Sequence, residues 1–230
     1  MVDARVHPVA WVADLVDSIL NNTSRPAILV VCSTRARFLE QLSAGLSDQK
    51  REAQTEASSE NSELQCLETR AHADQHPLLT KTIGVLANSS RVRLVFCPSL
   101  EHFRAYLSSL QLAQSTDRNV AACGATSIVV LDLVALHYMS SEFSAQGLSR
   151  TLALTVETAA RTESSIMLCE CEDAVVLRNP NRGHRLWDLR LPILSGPSRP
   201  EDGARQLSAR HVAKRWFRFE DDTATMGVVV

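Results

Sequence analysis

The chain has 230 residues, of which 45% are hydrophobic and 22% are charged, and its formal net charge is −2. This length suits one ordinary α/β domain and excludes two large ones. No stretch approaches the roughly 18 consecutive apolar residues of a membrane-spanning helix, which excludes membrane-spanning and fibrous classes. The first residues lack the apolar run of a secretory signal, and six scattered cysteines are too few for a disulfide scaffold. We therefore expect an intracellular protein with reduced thiols.

Charge is distributed unevenly along the chain. Residues 40–76 hold eight acidic and three basic residues, whereas residues 178–218 hold ten basic and three acidic residues. Of the 24 basic residues 21 are arginine, a side chain that suits bidentate phosphate contacts. A biased coding composition explains the same preference without any function. The basic last third is the part of the chain best suited to an anionic partner.

Apolar periodicity predicts that strands and helices alternate along the chain. Strands are predicted at residues 27–32, 63–68, 91–97, 126–132 and 165–171. Helices are predicted at residues 9–21, 34–46, 78–87, from Ser99 onwards and at 147–161. Residues 47–62 contain no large aliphatic side chain, so we expect a flexible, acidic insertion there.

Beyond residue 172 the pattern changes to shorter segments. The sequence predicts a strand at 184–191, a helix at 205–213 and a terminal hairpin that pairs residues 214–219 with residues 225–230. Short segments of this kind are typical of an antiparallel edge added to a parallel sheet.

Together these elements predict an α/β fold, with a mostly parallel sheet flanked by helices and a C-terminal antiparallel hairpin. Residues 1–24 form an N-terminal packing helix in this interpretation, and residues 25–230 form a single domain. Open sheets of this class bind ligands at the carboxyl ends of their strands. We therefore looked for chemistry at the strand ends.

The junction between the first core strand and its helix lacks a phosphate-binding loop. Such a loop needs glycines, a lysine and a magnesium-binding hydroxyl at fixed spacing. This chain places Cys32 and Arg37 where the glycines belong, Phe38 at the lysine position and Leu39 at the hydroxyl position. Asp132, after the run Ile-Val-Val-Leu, has the form of a Walker B aspartate. We expect a degenerate nucleotide site that binds no ATP and needs no cofactor.

A basic segment, RNPNRGHRLWDLR, follows the last predicted core strand. It holds Arg178, Arg182 and Arg185, and the later pair Lys214 and Arg215 adds charge near the end of the chain. Flexible basic loops with an aromatic residue suit single-stranded nucleic acid, because cations follow the phosphates and rings stack on bases. A solvated surface hairpin is the alternative interpretation.

The sequence also contains two incomplete zinc-binding patterns and one cluster of carboxylates. Cys169 and Cys171 alternate on a predicted strand, with His184 as the nearest further ligand, and a second set is Cys66, His72 and His76. Neither set supplies the four ligands of a structural zinc site, so we predict no metal. Glu170, Glu172 and Asp173 form either a hydrolase-type carboxylate cluster or a solvated strand exit.

Several strings of this chain resemble one family. They are PAILVVCSTRARFLEQL (26–42), HPLLTKTIGVLANSSRVRLVFCPSLEHFRAYLSSL (76–110), SIVVLDLVALHYM (127–139), SIMLCEC (165–171) and the closing RWFRFEDDTATMGVVV. In element order and apolar pattern they resemble the RecA-like recombinase paralogues with a degenerate P-loop. The closest likeness is to the RecA-fold partners of SWIM-domain proteins in Shu-type recombination-mediator complexes. The resemblance extends over residues 25–230.

This resemblance implies a non-catalytic, RecA-like subunit that acts in the nucleus in homologous recombination repair. It implies a heterodimer with a SWIM-domain protein or another RecA-like paralogue, contact with the recombinase, and binding to single-stranded or forked DNA. By position, Arg178, Arg182 and Arg185 would contact DNA, with His137 and Tyr138 as further contacts after the Asp132 strand.

Two alternatives remain open from the sequence. An Elongator-type subunit also has a RecA-like fold without a working P-loop, and it would act in transfer RNA modification. An unrelated α/β hydrolase or transferase would instead use Asp132 and the carboxylates of residues 170–173.

Overall fold

The sheet at the centre of this protein is entirely parallel. The structure, a computed structural model, describes residues 2–21, 25–57, 77–80, 82–116, 126–176, 178–194 and 206–220. The strands, in chain order, are β1 Ala4–Val6, β2 Ala27–Val31, β3 Val92–Phe96, β4 Ser127–Leu131, β5 Ser165–Cys169, β6 Arg190–Pro192, β7 Gln206–Ser208 and β8 Arg218–Phe219. Six of them form one sheet in the order β3-β2-β4-β5-β1-β8, and β6 and β7 form a separate antiparallel pair.

Helices connect the strands and cover the sheet. They are α1 Val12–Asn21, α2 Arg35–Ala57, α3 Ile83–Ser89, α4 Leu100–Thr116, α5 Leu133–Tyr138, α6 Ala145–Arg161 and α7 Ala209–Ala213. The described residues also form two 3-10 segments, Pro77–Leu79 and His184–Asp188. Within the described part of the chain, no helix has the length and apolar character needed to cross a membrane.

Apart from Ser127 and Ser165, which begin β4 and β5, the central strands β2, β4 and β5 are apolar because both faces of the sheet are covered. On one face, Val130 and Leu168 lie in register and pack with helices α4 and α6. On the other face, Leu131 and Cys169 lie in register and pack with α1 and α2. Each run of alternating side chains therefore contributes to two separate cores.

The predicted α/β class is confirmed, and two parts of the N-terminal half differ from prediction. The strand β1 was not predicted, because three residues give too short a pattern, yet it lies between β5 and β8 in the main sheet. Helix α2 continues to Ala57, so residues 47–57 are helical and the helix extends well beyond its predicted end at residue 46. These residues are rich in Gln, Glu, Lys, Arg and Ala, which have high helix propensity. Residues 58–62 and the predicted strand 63–68 lie outside the described residues.

The C-terminal segments differ from their prediction more than the N-terminal half does. The predicted strand at 184–191 is a 3-10 helix followed by the short β6, and the predicted helix at 205–213 begins only at Ala209, after β7. The antiparallel pair consists of β6 and β7, whereas β8 pairs in parallel with β1. The predicted partner strand at 225–230 lies outside the described residues.

The strand order places a crevice beside β2 and β4. The order β3-β2-β4-β5 corresponds to the flavodoxin-like order 2-1-3-4 of doubly wound sheets. From β2 the chain crosses to β3 on one side and later to β4 on the other. The carboxyl ends of β2 and β4 therefore flank the switch point at which such folds bind ligands.

Two helical glycines predict opposite effects of the same substitution. A Cβ added to Gly147 would lie 2.2 Å from the carbonyl oxygen of Glu142, whereas one added to Gly45 would meet nothing closer than 3.6 Å. We expect Gly147→Ala to lower the free energy of unfolding by about 1–3 kcal/mol, since the obstacle is backbone. Gly45→Ala should raise it by roughly 0.5–1 kcal/mol, because alanine favours helices.

Urea unfolding of both variants beside the wild type checks this pair. A Gly147→Ala variant as stable as Gly45→Ala would contradict the close approach of the α5–α6 turn to helix α6.

Candidate functional site

Asp132 occupies the switch point at the end of β4. Its backbone is left-handed, with φ of 62° and ψ of 37°, which turns the chain sharply from strand into helix α5. One carboxylate oxygen accepts a hydrogen bond from the backbone N–H of Cys171 at 3.2 Å, and the other forms an ion pair with Arg182. The side chains of Asp132 and Arg182 are only 4% and 11% exposed. The ion pair is therefore buried.

Glu170 lies beside this pair and caps helix α5. Its two carboxylate oxygens accept from the backbone N–H of Val134 at 2.6 Å and of Ala135 at 3.3 Å. Asp132, at the N-cap position, makes no side-chain cap because its carboxylate is directed to Arg182. Burial, and then the charge of Asp132, raise the pKa of Glu170 well above its usual value.

A second polar network connects helix α2, which follows β2, to the loop that follows β5. Asp173 receives hydrogen bonds from Arg37, Gln41 and Asn179, each at 2.7 Å, and from two backbone N–H groups of residues 175–176 at 3.0 Å. Burial acts to raise the pKa of Asp173, but the hydrogen bonds outweigh it and lower the pKa to about 2. The carboxylate is therefore ionised, and it ties helix α2 to the loop after β5.

The residues of the predicted degenerate nucleotide site make contacts within the protein itself. Cys32 is buried in the core, and Phe38 packs against Phe96 with ring centroids 5.8 Å apart. Arg37 and Asp132 are each engaged by an opposite charge of the chain itself. The positions that would contact phosphates in a P-loop thus serve packing and internal ion pairs.

The predicted DNA-contacting residues fall into two groups. Arg178, Arg185, Lys214 and Arg215 are exposed. Arg182 is buried against Asp132, so its prediction as a DNA contact was wrong. Its guanidinium, which was predicted to contact a DNA phosphate, instead neutralises the buried carboxylate of Asp132.

The residues after Asp132 are also less available than predicted. His137 is fully buried, and within the described residues neither ring nitrogen has a hydrogen-bond partner. Tyr138 is half-buried and packs edge-on against Phe143, with ring centroids 5.1 Å apart. The prediction of His137 as a DNA contact was wrong, because the segment forms helix α5 instead of an open loop.

The thiols and histidines form no metal site in the described part of the chain. No group of three His, Cys, Asp or Glu side chains there is arranged to hold a metal ion. Cys169 and Cys171 are buried, and burial raises the pKa of both thiols, which favours the protonated form. The second proposed set, residues 66, 72 and 76, lies outside the described residues.

Gln41 and Asn179 belong to this site, and the sequence did not identify them. Both donate to Asp173, and the side-chain oxygen of Gln41 also accepts from the backbone N–H of Ala174 at 2.8 Å. Gln41 is 1% exposed. The only sequence signal for Gln41 was its place as a polar residue on the apolar face of α2, four residues after Arg37 and three after Phe38.

Comparison with protein families places this chain. A family model described as SPAC22G7.03-like matches residues 5–177, which is most of the chain. The chain belongs to the SPAC22G7.03-like family. A search of curated proteins finds no match. The matched region contains Asp132, Glu170 and Asp173, and Arg182 lies just beyond it.

The buried ion pair of this SPAC22G7.03-like protein predicts a large stability effect. Arg182→Ala leaves the carboxylate of Asp132 buried without its counter-charge, so we expect the free energy of unfolding to fall by about 3–5 kcal/mol. Arg185→Ala, three residues away and exposed, should change it by less than about 0.5 kcal/mol. Urea unfolding measures both.

Adding Asp132→Asn to Arg182→Ala removes the unpaired charge and should restore part of the loss. Equal stability of Arg182→Ala and Arg185→Ala would show that the pair is not buried.

His137 predicts a loss of stability in mild acid. Burial lowers its pKa from 6.5 to about 4, so it is neutral in the folded state while the unfolded chain binds a proton below about 6.5. The unfolded state therefore binds more protons between these values, and stability falls as the pH drops from 6.5 to 4, by roughly 3 kcal/mol in all.

His137→Phe removes this titration and should flatten that part of the pH profile. The comparison is urea unfolding of wild type and variant at several pH values between 4 and 7. Parallel profiles would contradict the burial of a neutral imidazole.

Proposed function

We propose that this protein is a non-catalytic subunit of a Shu-type complex. In this role it pairs with a SWIM-domain protein or another RecA-like paralogue in the nucleus, binds DNA and assists assembly of recombinase filaments. The class of complex comes from the resemblance of residues 25–230 to degenerate RecA-like paralogues. The non-catalytic role is supported by the site itself.

The observation that carries the proposal is the buried pair of Asp132 and Arg182. A nucleotide at the switch point would need open backbone N–H groups and a free cation. Here Arg182 is committed to Asp132, Arg37 is committed to Asp173, and the N–H groups that begin α5 donate to Glu170. The chain's own side chains therefore take the place of a ligand, and the carboxylates that a hydrolase would use are all engaged.

An apolar surface on the far side of β2 supports assembly with a partner. It consists of Leu79, Ile83, Leu86 and Leu94, which are 52%, 87%, 60% and 43% exposed. Leu94 lies on β3, the edge strand of the sheet on this side, and no residue of α3 is buried. Large exposed apolar side chains and the edge strand of a sheet are both typical places for protein association. We name this group the β3-edge surface and assign it to the RecA-like or SWIM-domain partner.

DNA contact is assigned to the exposed cations Arg178, Arg185, Lys214 and Arg215. Phosphate contacts dominate non-specific affinity, so binding should weaken with salt and show little sequence preference. The guanidinium of Arg215 lies 5.3 Å from the centre of the Trp216 ring, which keeps a cation and an aromatic side chain together.

The test is affinity purification of the tagged protein from its own cells, followed by mass spectrometry. We expect a SWIM-domain protein or recombinase paralogue in near-equal amount. Ile83→Lys places a charge on the β3-edge surface and should remove that partner, because burying an unpaired ammonium is costly. Met139→Lys is the matched control, since Met139 is 77% exposed and lies after α5, away from this surface.

Each outcome decides between specific alternatives. Recovery of Elongator subunits would replace the proposal with a role in transfer RNA modification. A protein that purifies alone would overturn the assembly role and direct attention to an enzyme. Equal loss of the partner in both lysine variants would remove the β3-edge surface from the proposal.

A further inference from the structure

A groove lies between the start of α6 and the unit formed by β6, β7 and α7. Its volume is about 440 Å³, within the range of small-molecule sites. Its large apolar side chains are Ile193, directly after β6, Leu207 on β7 and Val212 on α7. The floor is thus apolar, and it lies on the opposite flank of the sheet from the β3-edge surface.

The charged side chains that line this groove are basic. Arg150 from α6, His211 from α7 and Arg215 just after α7 line it, and no described carboxylate does. All three side chains are exposed. The residues at the start of α6 also line the groove, and the helix dipole adds positive potential there. The basic side chains and the apolar floor of the groove together suit a molecule with an apolar body and an anionic end.

Two hydrogen bonds between the Gln146 side chain and the Leu194 backbone fix one side of the groove. The side-chain amide of Gln146 donates to the carbonyl of Leu194 at 3.1 Å, and its oxygen accepts from the N–H of Leu194 at 3.0 Å. This pair fixes the end of the segment after β6 against α6. A preformed wall lowers the entropic cost of binding.

We propose that this groove binds small amphipathic anions, with the apolar body on Leu207 and Val212 and the carboxylate or phosphate at Arg150 and Arg215. The inference goes beyond the proposed function, which uses neither the groove floor nor Arg150 and shares only Arg215 with this site. Carboxylate and phosphate ligands share this chemistry, and the experiment separates them.

The probes are decanoate, decyl phosphate and the neutral 1-decanol, each titrated into the isotope-labelled full chain and followed by amide NMR shifts. We expect saturable shifts at Gln146, Ser149 and Val212 with at least one anion, and binding about tenfold weaker with decanol, which lacks the charge-assisted contact. The tighter of the two anions identifies the head group.

Three variants make the result specific. Arg150→Gln should weaken anion binding about tenfold, whereas Arg161→Gln, on the same helix but outside the groove, should leave it unchanged. Ser149→Trp fills the groove and should abolish binding of all three probes. The proposal is overturned if neither anion saturates by about 1 mM, or if Arg150→Gln and Arg161→Gln behave alike.

Discussion

The buried ion pair between Asp132 and Arg182 is the constraint on which the rest of the carboxyl edge depends. Two carboxylates, Asp132 and Glu170, lie buried beside one guanidinium, and an unpaired charge there would be costly. Arg182 forms an ion pair with Asp132, and the backbone N–H groups of Val134 and Ala135 donate to Glu170. The left-handed turn at Asp132 directs its carboxylate to Arg182 and leaves the N-terminus of α5 to Glu170.

The chain's own side chains pair with one another at the edge where doubly wound sheets bind ligands. In doubly wound sheets the switch point is open because loops diverge from neighbouring strands. Here the loop after β5 returns across the opening, and Asp173 ties it to Arg37 and Gln41 on α2. The contact surfaces that we propose lie elsewhere, at the β3-edge surface and at the basic groove beside α6.

About half of the site was predictable from the sequence. The end of β4 at Asp132 and the missing P-loop chemistry followed from local patterns, because strand ends and glycine spacings are short-range signals. The roles of Arg182 and His137 did not follow. Both were predicted as exposed contacts because their segments are polar or lack a helical signal, and both are buried by elements distant in sequence.

The sequence by itself determined the layered α/β class, because uninterrupted apolar runs are stable only as strands covered on both faces. It also determined that the first core strand and its helix are not joined by a P-loop motif, since Arg37 and Phe38 stand where that motif has a glycine and a lysine. Only the tertiary structure decided the strand order, the insertion of β1 beside β5 and the pairing of Arg182 with Asp132. These depend on contacts between residues far apart in the chain, which local periodicity does not encode.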